Sequence, residues 1–325
     1  MRRVPIIILI VVLVLAAGWY VAWRVLARQV DVAVSDALHV ASEHGSPITC
    51  TDRRTSGFPL KVRISCSETT VSDQKSGVQA RLAGVTAETA IYTPNRVTTA
   101  LASPATITVP NLSEPIRGEW QTGTLTLDRR DAEISSSRLD LDTAKVTISG
   151  SEIVAKTLSA LVAPARDEQR TSVGFSFADA SLHSGDLSTP AMNGTGSAIL
   201  SVPPQRVFTG LGDLRSTGLQ VSAIQIAASS GDLKANISGD VQADPDGQLN
   251  GSLNVDLLSI DALPGFMKTL PPAARQLGNT MAGAILMFAQ PVEVNGAQAR
   301  RLHFDIHRGK VALGPIKLGR VAPLW

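Results

Sequence analysis

The sequence predicts a mainly β fold of α+β type: an extended antiparallel sheet with a few packed helices, preceded by one N-terminal transmembrane helix. Three observations carry this. Short runs such as Thr124-Leu125-Thr126-Leu127 and Leu139-Asp140-Leu141 alternate apolar and polar residues, the period of a strand with one buried face. Turn formers, 26 Gly among them, are scattered along the chain rather than pooled in a linker. Hydrophobicity rests on Val, Leu, Ile and Ala, with aromatic residues at only 4%; β-branched side chains of this kind suit a pleated core.

Residues 1–23 read as the transmembrane segment, a retained signal anchor. Val4–Trp23 carries no charge over 20 residues, which as a helix spans roughly 30 Å, the thickness of a bilayer's hydrocarbon core. Val4, Ile8 and Val12 stand for its apolar body. Trp19, Tyr20 and Trp23 cluster at its far end, where amphipathic rings favour the membrane–water interface. Val14-Leu15-Ala16 also has the small-residue spacing of a signal-peptidase site. The aromatic cluster and the apolar residues continuing to Ala22 favour retention. Arg2 and Arg3 before the span are nearly balanced by Arg24 and Arg28 behind it, so charge alone barely sets the orientation.

Residues 24–45 follow as an amphipathic stalk helix. Val30, Val34, Leu38 and Ala41 recur at helical spacing, and Gly45 with Pro47 behind it marks the stop. Residues 46–325 form the β-rich domain. It opens with Cys50, Gly57-Phe58-Pro59 and Cys66, the chain's two cysteines. A hairpin centred on Phe58 sets Cys50 opposite Cys66 within disulfide reach. An even cysteine count of this kind fits an exported, periplasmic domain. Leu60, Val62 and Ile64 alternate with Lys61, Arg63 and Ser65. With Arg53 and Arg54 the segment is locally basic, a solvated strand face or a contact for anionic headgroups.

Further strands are expected at Thr106–Val109, Lys145–Ile148, Phe175–Phe177 and Ala198–Leu200, with turns at Pro94-Asn95, Pro104, Pro110-Asn111, Gly150 and Asn193-Gly194. Pro203–Thr217 reads as a short helix. Strands resume from Leu219 to Val255, with a turn at Asp244–Gly247. Ser259–Gln290 reads as two helices joined at Pro271-Pro272. The close is Leu302–His307, a turn at Arg308-Gly309, and Lys310–Leu318.

Chemistry is sparse. His303, Asp305 and His307 share one strand face, but a polar outer face opposite Phe304 and Ile306 explains them without a metal. Ser72-Asp73-Gln74-Lys75 spells Ser-x-x-Lys among turn residues, without the companions that chemistry needs. No nucleophile elbow, phosphate loop or dinucleotide fingerprint is present, and no carboxylate pair stands out. No catalytic residue, cofactor or metal is therefore expected, and the protein is read as no enzyme. A net charge of +2 with interspersed signs lacks the footprint of a nucleic-acid binder.

Cys50-x6-Gly57-Phe58-Pro59-x6-Cys66 and the tail Asp305–Pro315, together with the anchor and stalk, resemble an uncharacterised bacterial family, domain of unknown function 2125. The strand-Gly-strand tail and single anchor are more loosely similar to AsmA-like envelope proteins. That second likeness implies a long curved sheet with an apolar groove and a lipid-handling role. The expected function is a membrane-anchored periplasmic protein that binds or passes lipid along an apolar sheet face. The alternative is an envelope scaffold with a fully capped sheet. The expected partners are the inner membrane and phospholipid or another envelope lipid, with no nucleic acid.

Overall fold

The computed structural model describes residues 3–43, 45–74, 77–110, 112–130, 133–167, 169–185, 187–209, 218–262, 288–294 and 296–324, with side chains from Leu13 onward except at 16, 37, 187, 208, 209 and 260. The chain divides into two compact units, Met1–Asp128 and Arg129–Trp325, where the sequence predicts one β-rich domain over 46–325. The boundary falls in the charged Asp128-Arg129-Arg130, which carries no linker composition.

The first unit opens with α1 (Arg3–Glu43), one continuous helix over the two segments that the sequence predicts as anchor and stalk. Among the described residues, no helix is long and apolar enough to cross a membrane. Val4, Ile8 and Val12 lie outside the described side chains. Further along, Val30, Val34 and Leu38 are half-buried while Val25, Val32 and Val40 face solvent, so the predicted stripe is the inward one. Gly45 ends the helix in the left-handed region at φ +84°. Its N–H donates to Ser42 O, and that of Ser46 to Ala41 O, a cap that glycine permits.

The sheet of this unit is built of β1 (Ile48–Thr51), β2 (Arg54–Ser56), β3 (Lys61–Cys66), β4 (Glu68–Ser72), β5 (Gln79–Ala90), β6 (Thr93–Thr108), β7 (Ile116–Glu119) and β8 (Thr122–Arg130). β2 and β1 pair in turn with β3 and β4, which both lie on β5; β5 pairs with β6, and β6 with β7 and β8. Pro94-Asn95 and Pro104 lie inside β6 rather than in turns. Pro104 is tolerated where the β5–β6 register slips between Leu82 and Gly84, because a bulge leaves a ladder position without need of an N–H.

The second unit is an antiparallel meander: β9 (Glu133–Ile148), β10 (Ser151–Pro164), β11 (Thr171–Ser184), β12 (Leu187–Ser188), β13 (Met192–Leu200), β14 (Leu219–Ser230), β15 (Leu233–Ala243), β16 (Leu249–Leu258), β17 (Gln290–Val294), β18 (Ala297–His307), β19 (Lys310–Leu313) and β20 (Ile316–Arg320). The predicted turns at Gly150, Asp244–Gly247 and Arg308-Gly309 are present. Asn193-Gly194 instead lies within β13, and Gly314-Pro315 divides Lys310–Leu318 into a hairpin. α2 (Pro204–Thr209) lies in the predicted helical stretch. Residues 210–217 and 263–287, the latter carrying most of the predicted helix pair, lie outside the described residues. One small core gathers Val202, Leu219 and Ala243 with Val207 of α2; another joins Leu302 and Leu313 with Phe288 and Phe304.

Candidate functional site

Two features of the fold position groups that face outward: the β2–β3 hairpin clamped to α1, and the two-faced meander of the second unit.

The hairpin turns at Gly57-Phe58-Pro59-Leu60. Gly57 takes φ +112°, and a Cβ there would stand 2.7 Å from Lys61 O, so only glycine fits. Trp23 is buried, and its indole N–H donates to Lys61 O at 2.8 Å; Trp19 donates likewise to Pro59 O at 3.1 Å. Phe58 meets Tyr20 and Trp23 edge to face, with centroids 5.4 and 5.7 Å apart, the geometry aromatic quadrupoles prefer. Arg24 lies over the Tyr20 ring. About two turns further along α1, Arg53 pairs with Asp31 at 3.2 Å and donates to Ser35 Oγ at 2.9 Å. The aromatic cluster Trp19, Tyr20 and Trp23 is therefore the seat of the hairpin.

Cys50 and Cys66 form a disulfide with Cα atoms 5.3 Å apart. The route differs from the expected one. Thr55 pairs with Ile64 and Cys50 with Thr69, so the hairpin is centred beyond Phe58 and the two cysteines are not directly opposed. A break at Asp52, φ +50°, brings them together across it. Val62, at 2% exposure, lies on the inward face as expected. On the outward face Lys61 and Arg63 both bond Glu88. Those two hydrogen bonds hold the Glu88 carboxyl below its ordinary value against the opposing effect of burial. The locally basic segment is thus largely paired within the protein.

In the second unit the register sorts residue types by face, since directly opposed residues of antiparallel strands share a face. One row crosses eight strands through Leu139, Ala160, Phe175, Gly196, Ile226, Ile237, Val255 and Leu302. The next row on that face runs Leu141, Leu158, Phe177, Gly194, Ala228, Ala235 and Leu257. Phe175 and Phe177 stack with planes 3° apart and lie across Gly196 and Gly194, whose absent Cβ atoms would stand 2.4 Å from the rings. Leu302, under Phe288 and Phe304, is buried, whereas Phe175 is 43% exposed. The apolar face is covered at one end and open at the other.

The opposite face carries the polar rows, although the exposed Ile153 and Leu161 share it. One of its rows passes through Asp140, Ser159, Ser176, Thr195, Ala227, Asn236, Asp256 and Arg301. Two adjoining hollows of about 410 and 590 Å³ lie on this side, sharing Thr195, Ala227 and Asn236 and lined by a mixture of polar and apolar residues. The Asp256 carboxylate, 6% exposed, takes two hydrogen bonds from Arg301 at 2.6 and 2.8 Å, a fork-to-fork pair. Both of these hollows therefore lie on the face opposite the Phe175 row. His303 bonds Asn254 and lies 3.3 Å from Asp305; among the described residues no cluster suited to a metal occurs.

Sequence reasoning missed the ring-over-glycine pairs, although the matching spacing of Phe175-x-Phe177 and Gly194-x-Gly196 was a usable signal. It also missed the Asp256–Arg301 pair, for which one-dimensional spacing gives none.

A family model described as an uncharacterized protein conserved in bacteria, DUF2125, matches residues 23–322, and the chain belongs to that family. No curated protein and no solved structure matches it.

Proposed function

We propose that this member of the DUF2125 family is a non-enzymatic protein of the bacterial envelope, held in the inner membrane by the start of α1, with its β-rich units in the periplasm. There it binds or passes lipid along the apolar face of the second unit's sheet. One observation carries the lipid reading: an apolar row continues across eight strands and remains open around Phe175. A half-buried apolar row with an exposed aromatic ring on it supports an interaction site. Its shape suits acyl chains laid across the strands rather than a small molecule held in a pocket. The uncharged run Val4–Trp23 supports anchoring. The Cys50–Cys66 bond supports an oxidising compartment.

The test is mass spectrometry of organic extracts from the detergent-purified full chain. Phospholipid is expected at a fixed ratio to protein. Phe175→Asp, on the open apolar face, lowers that ratio, whereas Ser176→Asp, on the polar face, leaves it unchanged. Circular dichroism verifies that both variants fold. Lipid equally abundant in all three proteins overturns the lipid reading and turns attention to an envelope scaffold.

A further inference from the structure

The tip of the β2–β3 hairpin is open where a clamped hairpin in water would be expected to hide its apolar residues. Phe58 is 46% and Leu60 54% exposed, and Tyr92, in the turn between β5 and β6, is 74% exposed. These are not scattered surface residues of the kind that need no explanation. The Ile91 N–H donates to Leu60 O at 3.0 Å and Lys61 pairs with Ala90, so the two turns adjoin. Beside them on α1 stand the half-exposed Trp19 and Tyr20. Together they make one aromatic and aliphatic patch at one end of the first unit.

The depth of that patch is set by the hydrogen bond from Trp19 to Pro59 O. Trp19 precedes the end of the uncharged run at Trp23 by four residues, about 6 Å along a helix. A hairpin bonded there cannot stand clear of a bilayer that the helix enters. Trp and Tyr favour this zone, and Arg24, which lies over the Tyr20 ring, stands directly behind the patch, where a cation meets anionic headgroups.

We propose that the Gly57–Leu60 tip and the Ile91–Tyr92 turn form a second membrane contact, seated in the headgroup region of the bilayer that holds α1. The contact rests on the anchoring proposed above. It makes the first unit a two-point mount, in which the indole bonds of Trp19 and Trp23 and the Arg53–Asp31 pair hold the hairpin against the helix so that its tip meets lipid.

The experiment places the photoreactive residue benzoylphenylalanine singly at Leu15, Leu60, Tyr92 or Leu112 of the full chain. The proteins are reconstituted into vesicles of phosphatidylethanolamine and phosphatidylglycerol, irradiated and weighed by mass spectrometry. Leu15 lies in the uncharged run and reports the anchor itself. Leu112 is exposed and apolar but follows the far end of the 16-residue β6, about 50 Å of strand from Tyr92. Adducts one phospholipid heavier are expected at Leu15, Leu60 and Tyr92 and not at Leu112. Adducts at Leu15 alone overturn the second contact while leaving the anchor standing. No adduct at Leu15 overturns the anchor, and the second contact falls with it. Adducts at all four positions indicate indiscriminate labelling and also overturn the second contact.

Discussion

Gly194 and Gly196 occupy positions that a propensity table would deny to a strand, where glycine gives up conformational freedom without packing in return. The rings of Phe177 and Phe175 lie over them in the neighbouring strand and fill that space, so the missing side chain on one strand is supplied by its partner. A methyl at Gly196 would meet the Phe175 ring at 2.4 Å and must displace it. Gly196→Ala is therefore expected to destabilise the protein by about 1–3 kcal/mol, the usual cost of overpacking, seen as a lower urea midpoint. Gly174→Ala is the comparison, since its Cβ would find its nearest neighbour at an ordinary 3.7 Å. Equal midpoints for the two variants would show that the rings do not rest on the glycines. The Asp256–Arg301 pair is the other residue-scale device: the carboxylate is buried and fully matched by a planar donor fork, and such a pair is costly to break from one side.

At the scale of elements, the hairpin β2–β3 is fixed from three sides. The disulfide closes it, and in the chain-entropy model a loop of this size contributes about 3 kcal/mol. The indoles of Trp19 and Trp23 fix its tip, and Glu88 on β5 gathers Lys61 and Arg63 from β3. This last tie depends on pH. Hydrogen bonds from Lys61 and Arg63 hold the Glu88 carboxyl below its ordinary value. A carboxylate depressed by folding stabilises the folded state above its unfolded value, and that contribution is lost as pH falls through the folded value. The urea midpoint of the native protein is therefore expected to exceed that of Glu88→Gln near neutrality, and the gap to close as pH falls below about 4. A gap that widens toward acid would contradict the assignment.

At the scale of the whole molecule, two compact units divide the proposed labour. The first carries the N-terminal helix, the disulfide and the tip; the second carries the two-faced sheet. Periplasmic placement of the chain is open to a direct measurement. Thiol alkylation of the protein in intact bacterial membranes is expected to label neither Cys50 nor Cys66 until a reductant is added. Both cysteines labelled without reduction would contradict the oxidising compartment.

The sequence by itself determined what depends on near neighbours along the chain. Alternation placed Leu139–Leu141, Lys145–Ile148, Phe175–Phe177 and Leu302–His307 in strands; Gly45, Gly150 and Arg308-Gly309 announced their breaks; the cysteine pair and Gly57-Phe58-Pro59 marked the hairpin. These signals survive because side-chain period and left-handed turns are local properties of the backbone. Only tertiary structure decided what depends on the partner strand. Register is a relation between segments distant in sequence, and a slip of one residue moves a whole strand to the other face. Thus the centre of the cysteine hairpin shifted past Phe58, Pro104 proved to sit at a register slip, and Asn193-Gly194 became strand because a ring on β11 covers it. The same relation aligned eight separate apolar residues into one row. It also turned Trp19, Tyr20 and Trp23, legible in one dimension only as an interfacial cluster, into the seat of a hairpin more than thirty residues away.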